Sequence, residues 1–228
     1  MAAGGLVLNL RGTSGAGKSE LARRLMWLYA GAPGGGEATP LNRRGRARPI
    51  AWVLPHPSGG RSLAVLGDYG ATRGGCDTIP LRDGGTAEAF RLAGALARGG
   101  HDVLVEGLEA SADVRGTAAL AAAGHRVHVL CLATPFDDCV RNVVRRRRAG
   151  AAALQAIRRT AEAGQRGLDA AAAALRADPA VAGVEALAFD DLLARARALL
   201  GLPGGAPGAA PAASGASQGR HLLAPARG

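Results

Sequence analysis

Short apolar runs alternate along this chain with longer stretches in which apolar positions return every three or four residues. The runs predict strands over Leu6–Leu10, Ile50–Leu54, Ser62–Leu66, Asp102–Gly107, Arg126–Ala133 and Val184–Ala188. Leu21, Leu25 and Leu28 share one face of a first helix, with Arg23 and Arg24 on another, and Gly31 ends it. Thr86 is expected to cap a second helix whose inner face carries Phe90, Ala93, Leu96 and Ala97, stopped by Gly99 and Gly100. A third helix is expected over 112–123. Thr134-Pro135 opens a fourth, with Thr as cap, Pro at the first helical position and Asp137 and Asp138 in the first turn. Its inner stripe is Phe136, Cys139, Val140, Val143 and Val144. An alanine-rich helix is expected over 151–177. Asp190 is expected to cap a last helix through Leu200.

Alternating strands and helices predict an α/β domain over 1–202. Residues 31–49 read as a loop rich in Gly, Pro and Arg. Residues 203–228 are mostly Gly, Ala, Pro and Ser, with Arg220, His221 and Arg227 as cations, and are expected to form a disordered tail.

Composition narrows the class. At 48% hydrophobic the chain can build a core, but with 3% aromatics that core must be aliphatic. No run of about 18 apolar residues occurs, so no membrane span is expected. The start of the chain lacks a basic segment followed by an apolar stretch, so no signal peptide is expected, and the location is expected to be cytoplasmic. The 3 cysteines have no paired metal-ligand spacing and read as reduced thiols. A net charge of +10 suits phosphate-rich partners, nucleic acid included. Arginine-heavy, alanine-rich and glycine-rich composition is also what GC-rich coding produces.

One lysine stands out against that background. Lys18 is the only lysine among the 28 Lys and Arg residues. It sits in Gly12-Thr13-Ser14-Gly15-Ala16-Gly17-Lys18-Ser19, which fits the phosphate-loop pattern G-x-x-x-x-G-K-[ST]. Composition alone would surround a single lysine with these partners roughly twice in a thousand chains, given the pattern's three other fixed positions. Glycines in such a loop let successive N–H groups ring a nucleotide's phosphates, and the helix that follows adds its positive end. Lys18 would reach the β- and γ-phosphates of ATP, and the Ser19 hydroxyl would sit on Mg²⁺.

Two further stretches could supply the rest of a reaction. Glu106 closes an apolar strand, where an acid beside a phosphate loop can hold Mg²⁺ through water. The polar loop Gly67–Ile79 follows another strand and gathers Asp68, Tyr69, Arg73 and Asp77, with Asp68 or Asp77 as the candidate base for an acceptor hydroxyl. Arg141 and Arg145–Arg148 end the fourth helix. They read either as a solvated helix end or as a lid that neutralises a transferred phosphoryl group, and Arg145 stands for that set.

The phosphate loop after strand one resembles the P-loop kinase superfamily, which implies a three-layer fold with a mainly parallel sheet and an arginine-rich helical lid. VLVEGL around Glu106 is similar to a segment of uridine-kinase-like proteins, and LATPFDDCVRNVVRRRR to the lid region of thymidylate-kinase-like proteins. RGTSGAGKS, HPSGGRSLAVLGDY, GGCDTI and VLVEGL together resemble a group of phage-encoded P-loop kinases. Some members of that group phosphorylate 5-hydroxymethyluracil in DNA on the way to hypermodified thymidines. The resemblance implies ATP binding by Gly12–Ser19 and acceptor handling by the Asp68–Asp77 loop. The D-R pair of thymidylate kinases is not apparent, and Cys76 has no role read from the sequence.

The expected function is a Mg·ATP-dependent kinase acting on a hydroxyl of a nucleotide-type acceptor. That acceptor is 5-hydroxymethyluracil in DNA or a free nucleoside or nucleotide. The alternative is a non-kinase NTPase or a nucleotide-dependent DNA-binding module.

Overall fold

The computed structural model describes residues 5–31, 34–70, 74–107 and 110–203. Most of the tail expected from 203 onward therefore lies outside the described residues, as does Arg73. Seven strands form one sheet: β1 (Leu6–Arg11), β2 (Thr39–Leu41), β3 (Ala51–Leu54), β4 (Leu63–Leu66), β5 (Asp102–Glu106), β6 (Arg126–Leu132) and β7 (Gly183–Leu187). Six α-helices connect or flank them: α1 (Lys18–Ala30), α2 (Gly85–Arg98), α3 (Ala110–Ala122), α4 (Phe136–Arg147), α5 (Ala151–Arg176) and α6 (Phe189–Leu199).

The strand order is β2-β3-β4-β5-β1-β6-β7. Strands β4, β5, β1, β6 and β7 run parallel, while β3 is antiparallel to both β2 and β4. The sheet is thus mixed and mostly parallel, an α/β arrangement consistent with the P-loop NTPase-like fold. Strand β2 lies inside the expected 31–49 loop. Its Pro40 lacks an N–H to donate, which suits an edge strand.

Alternation along β1 divides the core. Leu6, Leu8 and Leu10 join Leu21, Leu25 and Tyr29 of α1 and Leu192 and Ala196 of α6. Val7 faces the other way, with Val103, Val105 and Val127 and with Ala89, Ala93 and Ala97 of α2. Alanine at every fourth position gives α2 a flat face that lies close on the sheet. Val140 and Val143 of α4 pack on Ile157 and Ala161 of α5 in a smaller cluster.

Three expected caps fall elsewhere. Gly84 precedes α2, which puts Thr86 inside the first turn. Ala188 precedes α6, which puts Asp190 inside its first turn, where an acid still suits the helix dipole. Pro135 precedes α4, and Thr134 Oγ1 donates instead to the Ala16 carbonyl at 2.8 Å. No side chain caps any of the three helices, and the Thr134 hydroxyl is taken up by the phosphate-loop carbonyl instead.

Among the described residues no helix is long and apolar enough to cross a membrane. Cys76, Cys131 and Cys139 are free thiols.

Candidate active site

Parallel strands deliver the candidate residues to one edge of the sheet. Leu10 of β1 pairs with Glu106 of β5, so the loop after β1 and the acid ending β5 are neighbours. Strand β5 also pairs with β4, whose following loop carries Asp68 to the same edge. From β1 the chain crosses to β2 at the far edge and works back through β3 and β4 to β5, and from β5 it crosses to β6 on the other side of β1. Ligands of open α/β sheets bind in the crevice at such a switch point.

The loop Gly12–Ser19 wraps the start of α1. Gly15 and Gly17 have φ of 89° and 104°, values natural to glycine. A side chain on Gly15 would strike the Cys139 carbonyl of α4. No side chain caps α1, so its first-turn N–H groups are open toward an anion. Lys18 Nζ donates to the carbonyls of Gly12 at 2.7 Å and Thr13 at 3.3 Å. Burial holds its ammonium below the ordinary lysine value, while Glu106 and Asp77 pull the other way.

Ser19 Oγ donates to Glu106 Oε1 at 2.8 Å. Glu106 is 1% exposed. Burial pushes its carboxyl above the usual range, against the Ser19 hydrogen bond and the Lys18 charge. Hydroxyl and carboxylate oxygens together form a donor set suited to a hard cation. Among the described residues no group of three or more His, Cys, Asp or Glu gathers as a metal cluster. Such a cation would thus keep bound water or phosphate ligands, as Mg²⁺ does.

The loop after β4 is pressed against this acid. Gly75 has φ 80°, and a Cβ there would lie 2.6 Å from Glu106 Cγ. Tyr69 is buried, and Arg23 of α1 lies over its ring at 6.0 Å. Burial first, and the charge of Glu106 second, raise its hydroxyl well above the ordinary tyrosine value. The two candidate bases differ. Asp68 is buried, accepts from Gly70 N at 2.9 Å and faces Arg48 at 3.7 Å. Asp77 is exposed, and its charge is felt by both Lys18 and Glu106.

Helix α4 borders the loop. Arg146 Nη2 lies 3.2 Å from Ser14 Oγ. Arg145 instead donates to Asn142 Oδ1 at 3.2 Å on its own helix. Arg141 pairs with Asp138.

No family model matches the sequence. The chain is 40% identical over 141 residues to the 5-hmdU DNA kinase of Pseudomonas phage PaMx11. That alignment covers 62% of this chain and 69% of the phage protein. The chain belongs to that kinase's family.

In this member of the phage kinase family, several supports of the loop carried no motif. Asn142 Nδ2 donates to the Gly15 carbonyl at 2.9 Å, and Thr13 Oγ1 donates to Gln165 Oε1 of α5. Beneath them Arg11 makes a buried ion pair with Asp113. Asn9 Nδ2 donates to Asp113 Oδ1 at 2.7 Å and Thr117 Oγ1 at 2.9 Å. A polar residue breaking the apolar run LVLNLR was the one available signal, and it pointed to a buried partner rather than to a partner's position.

Proposed function

We propose that this chain is an ATP-dependent kinase that phosphorylates the hydroxyl of a 5-hydroxymethyluracil base in DNA. The reading rests on residues 1–202 acting as one kinase domain. The observation that carries it is the Ser19–Glu106 hydrogen bond, which joins the phosphate loop to the acid of the neighbouring strand. The named activity of the phage relative supplies the acceptor class.

Gly12, Thr13, Ser14, Gly15, Ala16 and Gly17 cradle the phosphates of ATP with their backbone, and Lys18 leaves its two carbonyls to meet the β- and γ-phosphates. Ser19 and Glu106 would hold Mg²⁺. The ion would supply charge neutralisation at the phosphate oxygens. Asp77 takes the proton of the acceptor hydroxyl as its oxygen bonds to the γ-phosphorus. The bond from that phosphorus to the β–γ bridging oxygen breaks, and ADP leaves. Asp68 holds the acceptor loop in shape through Gly70 and Arg48. Arg145 and Arg146 form the working part of an arginine-rich lid. Arg146 already touches Ser14, which supports its place there. Such a lid keeps water from the γ-phosphate.

The test offers γ-labelled ATP with free nucleosides, with nucleotides, and with DNA containing thymine or 5-hydroxymethyluracil. Label is expected on the hydroxymethylated DNA. Label on a monomer alone would move the enzyme to nucleotide metabolism. Release of phosphate with no labelled acceptor would overturn the kinase reading in favour of an NTPase.

A further inference from the structure

Leu81 is 91% exposed, the most exposed of the large apolar side chains among the described residues. A lone surface leucine is ordinary. Its setting is not. Leu81 opens the single 3₁₀ turn Leu81–Asp83, held by Asp83 N to Pro80 O at 2.8 Å and Gly84 N to Leu81 O at 2.9 Å. Arg46 Nη1 grips Asp83 at 2.5 Å, and Arg46 Nη2 grips the Thr78 carbonyl at 3.1 Å. The Thr78 hydroxyl in turn accepts from Asp68 N at 2.8 Å. The leucine therefore stands on a rigid base fastened directly to the acceptor loop.

Topology puts this turn on the ligand side. Strand β3 runs antiparallel to β4, with Ala51 opposite Leu66, so the 42–49 segment entering β3 lies where β4 ends. The Leu81 turn lies between that end of β4 and α2. Cationic side chains lie on and beside the turn. Arg43, Arg44 and Arg82 are exposed, and Arg43 spans to Asp83 O at 2.9 Å and Glu88 at 3.2 Å. Arg44 and Arg82 make no ion pair among the described residues. Arginines around a projecting apolar side chain match a nucleic-acid backbone flanking a base stack.

The acceptor chemistry explains why a duplex would need such a side chain. Glu106 is buried at the sheet edge, and a base paired inside a duplex cannot enter that crevice. Enzymes that act on a base in a buried site swing the nucleotide out and refill or prop the stack. Leu81 lies four positions after Asp77, at most about 14 Å along the chain, so one extruded nucleotide can bridge the stack and the carboxylate.

We infer that the Leu81–Asp83 turn is a duplex-DNA docking surface, with Leu81 as the apolar wedge entering the stack where the acceptor base leaves it and Arg43, Arg44 and Arg82 meeting the flanking phosphates. The inference rests on the DNA-base acceptor proposed above.

The experiment uses the full chain with one oligonucleotide carrying a single 5-hydroxymethyluracil, supplied as matched duplex and as single strand. Leu81→Ala is expected to lower kcat/KM on the duplex about 10- to 100-fold and to leave the single strand within about twofold. Leu81→Met, which keeps an apolar wedge, is expected to retain most duplex activity. A 2-aminopurine beside the target is expected to brighten when wild type binds the duplex and to stay dark with Leu81→Ala. Equal losses on both substrates, no loss on either, or a wild type that labels single strands alone would overturn the wedge while leaving the DNA kinase standing. A wild type that labels no DNA at all would remove the acceptor reading and the wedge with it.

Discussion

Ser19 Oγ and Glu106 Oε1 stand 2.8 Å apart, which ties the loop that begins α1 to the last residue of β5. The carboxylate is buried and shifted up, so its ionised form opposes folding. The sign follows from proton binding. Between the ordinary glutamate value and the raised one, the folded state holds the proton that the unfolded state has lost. Stability from this group is therefore full below the ordinary value and is lost as pH rises through the raised one. Glu106→Gln keeps an acceptor for Ser19 and removes the charge. It is expected to raise stability in urea at pH 7.5 by about 1 kcal/mol, as functional residues often do when neutralised. The gain should shrink as pH falls toward the ordinary glutamate range, and phosphoryl transfer should fall at least about 100-fold. An equal gain at all pH values would contradict this account.

Lys18 is the second case of a site residue held at a cost to the fold. Its ammonium is desolvated and bonded only to carbonyls within the loop. Lys18→Ala is expected to abolish measurable transfer, a loss of at least about 100-fold, with circular dichroism unchanged and stability no lower than wild type. Full activity in this variant would remove the loop from the reaction.

Asp77 and Asp68 can be separated by kinetics. Asp77 is exposed and acts on the field at Lys18 and Glu106, whereas Asp68 serves Gly70 and Arg48 within the loop. Asp77→Asn is expected to lower kcat about 100- to 10,000-fold with ATP affinity within a few-fold, the range of general-base loss. Asp68→Asn is expected to act mainly on acceptor KM and on thermal stability. Equal loss of transfer and ATP affinity in Asp77→Asn would argue against its acceptor role.

The six apolar runs became six of the seven strands. Strands β1, β4 and β5 are buried along their whole length, as strands covered on both faces are. Thr39–Leu41 escaped that reading: an edge strand of three residues with a central proline carries no periodicity. Gly12–Ser19 and Glu106 were singled out by residue type and order, and the fold brings them together through the Ser19–Glu106 hydrogen bond. Asn142, Gln165 and Thr134 could not be. Their contacts with the loop span 118 to 152 residues and depend on how α4 and α5 dock. Arg146 rather than Arg145 meets Ser14 for the same reason, because helical phase decides which of adjacent arginines faces the loop.

Arg11 and Asp113 form a pair in which both side chains are 2% exposed, directly before the phosphate loop. Arg11 Nη1 has no hydrogen-bond partner, so the guanidinium depends on Asp113. Asp113→Ala would leave that charge buried alone and also strip a partner from Asn9 and Thr117. The expected loss is about 3–5 kcal/mol by chemical denaturation. The double variant Arg11→Met with Asp113→Leu should recover most of it, because an apolar pair of similar volume often replaces a buried ion pair without penalty. No recovery would mean that the pair itself, rather than the orphaned charge, carries the stability.

Arg148 is the one described non-glycine residue with positive φ, at φ 51° and ψ 41°. It ends α4, and its N–H reaches the Arg145 carbonyl at 3.2 Å before α5 begins at Ala151. A left-handed backbone costs a residue with a Cβ about 1–2 kcal/mol, and glycine escapes that cost but gains freedom when unfolded. Arg148→Gly is therefore expected to raise stability by up to about 1 kcal/mol, while Arg148→Val should lower it by more, because a β-branched side chain tolerates the conformation least. If Arg148 serves only this corner, transfer activity in Arg148→Gly stays near wild type. Loss of activity with stability raised would instead assign the Arg148 charge to the arginine-rich lid.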